Sequence, residues 1–124
     1  MKIIILAGGK GTRLLKFSKK PKIFLKFGNT RLIDLYLKIF KNFNSKSISF
    51  ILGNKGEEIK KYLDNKKFKG KIIIEKKPLG TAGYLKNFEK FPSEDVLVIM
   101  GDILTKFDIK KFLKFHKKKK SDIS

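Results

Sequence analysis

The chain alternates short, nearly all-apolar runs with longer segments in which apolar residues recur every three or four positions. The runs at residues 2–7, 47–52, 71–74 and 95–100 are rich in Ile, Val and Leu and show little polar alternation. That is the pattern of strands buried on both faces of a parallel sheet. Residues 31–43, 56–63, 81–91 and 109–119 carry helical spacing instead. Leu32, Leu35, Tyr36, Ile39 and Phe40 form one apolar stripe, Tyr62 reads as a stripe residue of the next helix, and Phe112, Leu113 and His116 repeat the pattern in the last. Asp108 stands where an N-cap would open that last helix. The order βαβαβαβα predicts a doubly wound α/β fold, Rossmann-like, with three αβα layers around a mainly parallel sheet. Ligands of such sheets gather at the carboxyl ends of the strands, here residues 8–13, 53–55, 75–83 and 101–104.

Length and composition agree with one domain. The 124 residues suffice for a sizeable core and are too few for two ordinary domains. Hydrophobic residues make up 41% and aromatics 12%, which supports a packed interior over disorder. Cysteine is absent, excluding disulfides and any thiolate metal or redox site. The apolar run after Met1 ends at glycines without a signal-cleavage pattern, and nothing later approaches the ~18 apolar residues of a membrane span. A cytoplasmic protein, without a membrane partner, is expected.

The formal charge of +20 admits a basic nucleic-acid-binding module. Lys, Ile, Asn and Phe are abundant together, however, while arginine occurs only at Arg13 and Arg31. That bias is expected of an AT-rich genome. The lysines are scattered apart from the run 117–120, and no helix-turn-helix, zinc-finger or RNP signature is present. No specific nucleic-acid partner is expected.

The loop after the first strand, "LAGGKGTRL" at residues 6–14, has the look of a phosphate cradle. It is not a Walker loop, because Gly9-Lys10 is followed by Gly11 and the position five before Gly9 is Ile4. A dinucleotide fingerprint starting at Gly9 and Gly11 would need glycine at Leu14 and an acidic residue ending the second strand, which reads Phe50-Ile51-Leu52-Gly53. What remains is a strand, a Gly-Gly pair, a further glycine, then Thr12 and Arg13, so that backbone N–H groups and a guanidinium could surround a triphosphate.

Together with "KKPKIFLKF" at residues 19–27, "EKKPLGTAG" at 75–83 and "VLVIMGD" at 96–102, this loop resembles the sugar-1-phosphate nucleotidyltransferases, in that family's order and spacing. The "PLGTAG" stretch is most similar to the branches that guanylylate mannose 1-phosphate or heptose 1-phosphate. The resemblance implies condensation of an NTP, with GTP favoured, and a sugar 1-phosphate, giving a nucleotide sugar for cell-surface glycan precursors and pyrophosphate. It implies Arg13 and Lys22 as catalytic residues, the first on the leaving phosphates and the second between the α-phosphate and the sugar phosphate. Leu6, Ala7, Gly8, Gly9, Gly11, Thr12, Gly80 and Thr81 are implied at the nucleotide, Glu75 on the side of the base, and Asp102 as a ligand of Mg²⁺. No general base is required, because a phosphate monoester's second pKa is ~6; a chain with a single histidine, His116, therefore still qualifies as an enzyme.

Departures accompany the matches. The family proline after "GTRL" is Lys16, and the second proline of "PKP" is Ile23. The family's catalytic domain also runs further, so residues 1–124 are expected to be its N-terminal nucleotide-binding portion, ending at "KKSDIS" where a next strand would begin. Sugar-contacting strands and a second metal-binding aspartate are expected beyond it. A non-catalytic nucleotide-binding relative is the alternative, and a homo-oligomer is left open.

Overall fold

A computed structural model describes residues 1–9, 19–77, 80, 83, 94–104 and 108–124. In chain order the elements are β1 (Lys2–Ala7), β2 (Lys26–Phe27), β3 (Thr30–Arg31), α1 (Leu32–Ile39), β4 (Ile48–Leu52), α2 (Gly56–Asn65), β5 (Lys71–Ile74), β6 (Val96–Met100) and α3 (Ile109–Lys119). Short 3₁₀ turns lie at Lys22–Phe24 and Ser45–Ser47. The four long strands form one parallel sheet in the order β5-β4-β1-β6. β2 and β3 make a separate antiparallel hairpin that hydrophobic periodicity does not announce, since each strand is two residues long.

β1 is central. It aligns Ile3 with Ile48 and Leu97, and Leu6 with Ile51 and Met100. From β1 the chain steps outward to β4 and β5 and then returns to β6 on the other side, which makes the carboxyl ends of β1 and β6 the topological switch point. Ile3 and Ile5 of β1 join Phe50, Leu52, Ile33, Tyr36, Ile59 and Leu63 in the main core, on the face that α1 and α2 cover. Ile4 and Ile51 anchor a smaller cluster on the opposite face with Leu6, Ile73 and Val96. The helix expected over residues 81–91 lies outside the described residues, apart from Gly83.

Three sequence expectations need adjustment. Burial on both faces holds for β1 and β4, but the strands at the two edges of the described sheet have no fully buried residue: Lys71 of β5 is exposed, and in β6 Val98 and Met100 are 41% and 37% exposed. The stripe of α1 is rotated. Leu32, Ile33, Tyr36 and Phe40 face the core while Ile39 is exposed; only Asp34 and Lys38 interrupt the helix's apolar surface, so periodicity cannot choose the inward side. The same helix stops at Ile39 rather than Phe43, where i→i+3 bonding takes over through Lys41 N–H to the Lys38 carbonyl and Phe43 N–H to the Phe40 carbonyl.

The other helix ends follow from local chemistry. Asp108 caps α3 by accepting from Lys111 N–H at 3.1 Å, as its position predicts. Glu57 and Glu58 complement the amino-terminal dipole of α2. Its far end closes in a Schellman arrangement, with Phe68 N–H on the Leu63 carbonyl and Lys67 N–H on the Asp64 carbonyl, and Lys67 takes the left-handed φ of 56° usual for glycine there.

A close backbone approach is made at Gly53, just past β4. A Cβ there would lie 2.8 Å from Gly8 Cα and nearer still to the Gly8 carbonyl oxygen. Both neighbours are main chain and cannot swing aside. Gly53→Ala is therefore expected to cost about 1–3 kcal/mol, the range for forced overpacking, as a shift of the urea unfolding midpoint. An unchanged midpoint would show that the two strand ends separate freely.

Candidate functional site

Because the four strands run parallel, their carboxyl ends lie along one edge. The ladder continues one residue past each end: Gly101 N–H donates to the Leu6 carbonyl and Glu75 N–H to the Leu52 carbonyl, both at 2.7 Å. Gly8, Gly53, Glu75, Gly101 and Asp102 are thereby gathered at one rim. Leu6 and Ala7 are the last residues of β1 and half-buried beneath it. A Cβ on Gly101 would lie 2.8 Å from the Leu6 carbonyl oxygen, so only glycine fits where β6 leaves the sheet. Gly9 is different, since among the described residues a Cβ there would meet nothing within 4 Å. Gly8, by contrast, lies between Gly53 and the Glu75 carboxylate, whose Oε2 would stand 3.6 Å from an added Cβ.

Lys22 reaches this rim from a rigid turn. Pro21 is buried and fixes φ at −52°, and the turn that follows is closed by Phe24 N–H to the Pro21 carbonyl and Leu25 N–H to the Lys22 carbonyl. Ile23, standing where the family pattern has proline, is 2% exposed and anchors the turn in the main core. Phe24 packs on Tyr62 of α2 with ring centroids 5.1 Å apart. The Arg31 guanidinium lies over both rings, 5.5 Å from Phe24 and 4.9 Å from Tyr62, and the Tyr62 hydroxyl donates to the Asp34 carboxylate at 2.8 Å. Arg31 is thus a structural clamp, and Tyr62 is more than the core residue its spacing predicts.

The Lys22 Nζ lies 3.2 Å from Asp102 Oδ2, joining side chains eighty residues apart in sequence. They are 31% and 43% exposed, so the pair opens to solvent at the switch point. Asp102 occupies a turn in which Ile103 N–H donates to the Met100 carbonyl. The hydroxyl of the buried Tyr36 of α1 shares its one proton between that same Met100 carbonyl, at 2.8 Å, and the Ile103 carbonyl. Gly53 falls in one of the strand-end segments where ligands are expected, but neither its packing role nor Tyr36 stands out in the sequence. The signals are a glycine directly after a buried strand and a tyrosine, in place of phenylalanine or leucine, on an inward helix face.

Of the other expected site residues, Gly80 has the left-handed φ of 77° and accepts from Gly83 N–H at 3.3 Å, a turn for which glycine is suited. Arg13, Gly11, Thr12 and Thr81 lie outside the described residues. His116 sits against Asp95 at 3.8 Å, at the amino end of β6 and away from the rim. Among the described residues no group of three or more His, Cys, Asp or Glu side chains could hold a metal ion. Asp102 is a partly exposed carboxylate oxygen donor and could supply one place in the shell of a hard cation, for which Lys22 would have to turn to another anion.

Residues 2–124 match the model of the nucleotidyl transferase family, and the chain belongs to that family. It is 34% identical over 122 residues to the D-glycero-alpha-D-manno-heptose 1-phosphate guanylyltransferase of Campylobacter jejuni, a match covering 96% of this chain and 55% of that protein. It is 36% identical over 125 residues to the bifunctional protein GlmU of Buchnera aphidicola, covering 98% of this chain and 26% of that one. Among solved structures, HddC from Yersinia pseudotuberculosis complexed with GMP-PN superposes with a TM-score of 0.76 at 30% identity, over 93% of this chain and 53% of HddC. The chain thus spans about half the length of the heptose guanylyltransferase and of HddC, and about a quarter of GlmU. Among the described residues no helix is long and apolar enough to cross a membrane.

An ion pair this exposed contributes at most about 1 kcal/mol to folding. Asp102→Asn is accordingly expected to leave the urea unfolding free energy within about 1 kcal/mol of the parent. A larger loss would make the pair a structural strut instead of a site held ready for ligand.

Proposed function

We propose that residues 1–124 form the nucleotide-binding portion of a cytoplasmic sugar-1-phosphate nucleotidyltransferase, which joins an NTP to a sugar 1-phosphate and serves the synthesis of cell-surface glycan precursors. The observation that carries this reading is the Lys22–Asp102 pair at the switch point, on the carboxyl edge of the parallel sheet. In the reaction a sugar-phosphate oxygen attacks the α-phosphorus, the bond from that phosphorus to the bridging oxygen breaks, and pyrophosphate leaves with the electron pair. The attacking oxygen is already anionic near neutral pH, the second pKa of a phosphate monoester being ~6. Alignment and charge neutralisation are therefore the tasks left to the protein.

Each residue takes one of those tasks. Lys22 exchanges the Asp102 carboxylate for phosphate oxygens and bridges the two reacting phosphates. Arg13 holds the leaving β,γ-phosphates, and Leu6, Ala7, Gly8, Gly9, Gly11, Thr12, Gly80 and Thr81 line the nucleotide. Asp102 would hold Mg²⁺; with the ion bound, the crowded phosphate charge is neutralised beyond what two cationic side chains achieve. Glu75 supports GTP as the nucleotide. Its carboxylate stands beside Gly8, and guanine is the base whose Watson–Crick edge offers two adjacent donors, N1–H and the amino group, to an acceptor-only side chain. The relatives named for guanylyl transfer agree with that preference.

The test is a thermal-shift screen of the four NTPs with Mg²⁺. GTP–Mg²⁺ is expected to give the largest rise, corresponding to about 2.7 kcal/mol at a hundredfold excess over Kd. Arg13→Ala and Lys22→Ala should fold normally and lose most of that rise. Glu75→Gln should erase the margin of GTP over the other three, because an amide presents a donor to one of guanine's donors. If no NTP stabilises the chain while arbitrary DNA binds with steep salt dependence, the basic surface and not the rim is the functional feature.

A further inference from the structure

Tyr36 is 3% exposed, and its hydroxyl is aimed at the main chain of the turn that carries Asp102. The two carbonyls it reaches, Met100 and Ile103, flank Gly101 and Asp102, so one phenol holds both ends of the turn. A second tie comes from β1 through Gly101 N–H to the Leu6 carbonyl. The helix that presents Tyr36 also fixes the Lys22 turn, since Leu32 N–H, at the start of α1, donates to the Leu25 carbonyl at 2.9 Å and Ile33 shares the core with Ile23. One rigid helix therefore grips both partners of the Lys22–Asp102 pair, the lysine through its first turn and the aspartate through Tyr36.

From this geometry we infer that Tyr36 is a positioning residue: its hydroxyl holds the Asp102 turn in place, so that the carboxylate is preset for a hard cation once phosphate draws Lys22 away. The inference rests on the reading of Asp102 as a cation ligand. Packing alone does not require this hydroxyl, because phenylalanine would fill the same core volume. A buried phenol does require a partner, and here the partners are the two carbonyls of the site turn. Burial holds the Tyr36 phenol above its ordinary pKa, against an opposing hydrogen bond with the Ile103 backbone.

The experiment compares the parent chain, Tyr36→Phe and Asp102→Asn by amide hydrogen exchange and by Mn²⁺ titration, read as paramagnetic broadening of signals near residue 102. In Tyr36→Phe the amides of residues 101–104 are expected to exchange about five- to tenfold faster relative to the β1 amides, the factor one hydrogen bond is worth. Mn²⁺ affinity at the site should fall several-fold. A residue of merely structural importance would speed exchange evenly and leave Mn²⁺ affinity alone. Either unchanged turn exchange in Tyr36→Phe, or unchanged Mn²⁺ affinity there while Asp102→Asn loses it, overturns the inference. If Asp102→Asn itself binds Mn²⁺ like the parent, the assignment of Asp102 as a cation ligand fails, and the positioning role fails with it.

Discussion

The structure depends on how closely the strand ends can approach β1. That strand is paired on both sides, from Ile3 to Ala7 with β4 and from Lys2 to Leu6 with β6, and its side chains supply the buried centre of both sheet faces. Its carboxyl end is where Gly53 comes against Gly8 and where Gly101 closes over the Leu6 carbonyl. A side chain at either of these glycines would push a neighbouring strand away from β1. The rim then would not bring Glu75 to one side of Gly8, nor Asp102 within reach of Lys22.

Much of this was legible in the amino-acid sequence because parallel strands announce themselves. The Ile-rich runs at 2–7 and 71–74 and the basic helix at 109–119 coincide with β1, β5 and α3, since a long single-signed pattern bounded by Gly or Asp leaves one assignment. Less visible was whatever depends on contacts across the fold. The rotation of α1 was hidden because its apolar residues surround the axis, and only the sheet decides that Ile33 turns in and Ile39 out. The hairpin at β2 and β3 is too short to have a period.

The site shows the same division. Motifs pick out Lys22 and Asp102 separately, one from a proline-lysine pair and one from a glycine-aspartate pair after a strand. Nothing in either motif gives their distance, which is set by eighty residues of intervening fold. The supporting groups were harder still to see. Arg31 between Phe24 and Tyr62, and the Tyr36 hydroxyl over the Asp102 turn, act through geometry that no local spacing encodes. In this chain the chemistry is written in short words, and its alignment in scattered single letters.

Lysine is so abundant that it also occupies places where backbone shape favours another residue. Lys55, Lys67 and Lys120 all have left-handed φ, between 51° and 60°, and each stands at the end of a helix. For a residue with a Cβ that conformation costs roughly 1–2 kcal/mol, which glycine largely avoids. Each terminus is therefore a point of local frustration, where the surrounding fold overrules what the residue prefers. The chain's compositional bias is thus recorded in its dihedral angles as well as in its charge, while Gly53 and Gly101 stand where a side chain would part the sheet.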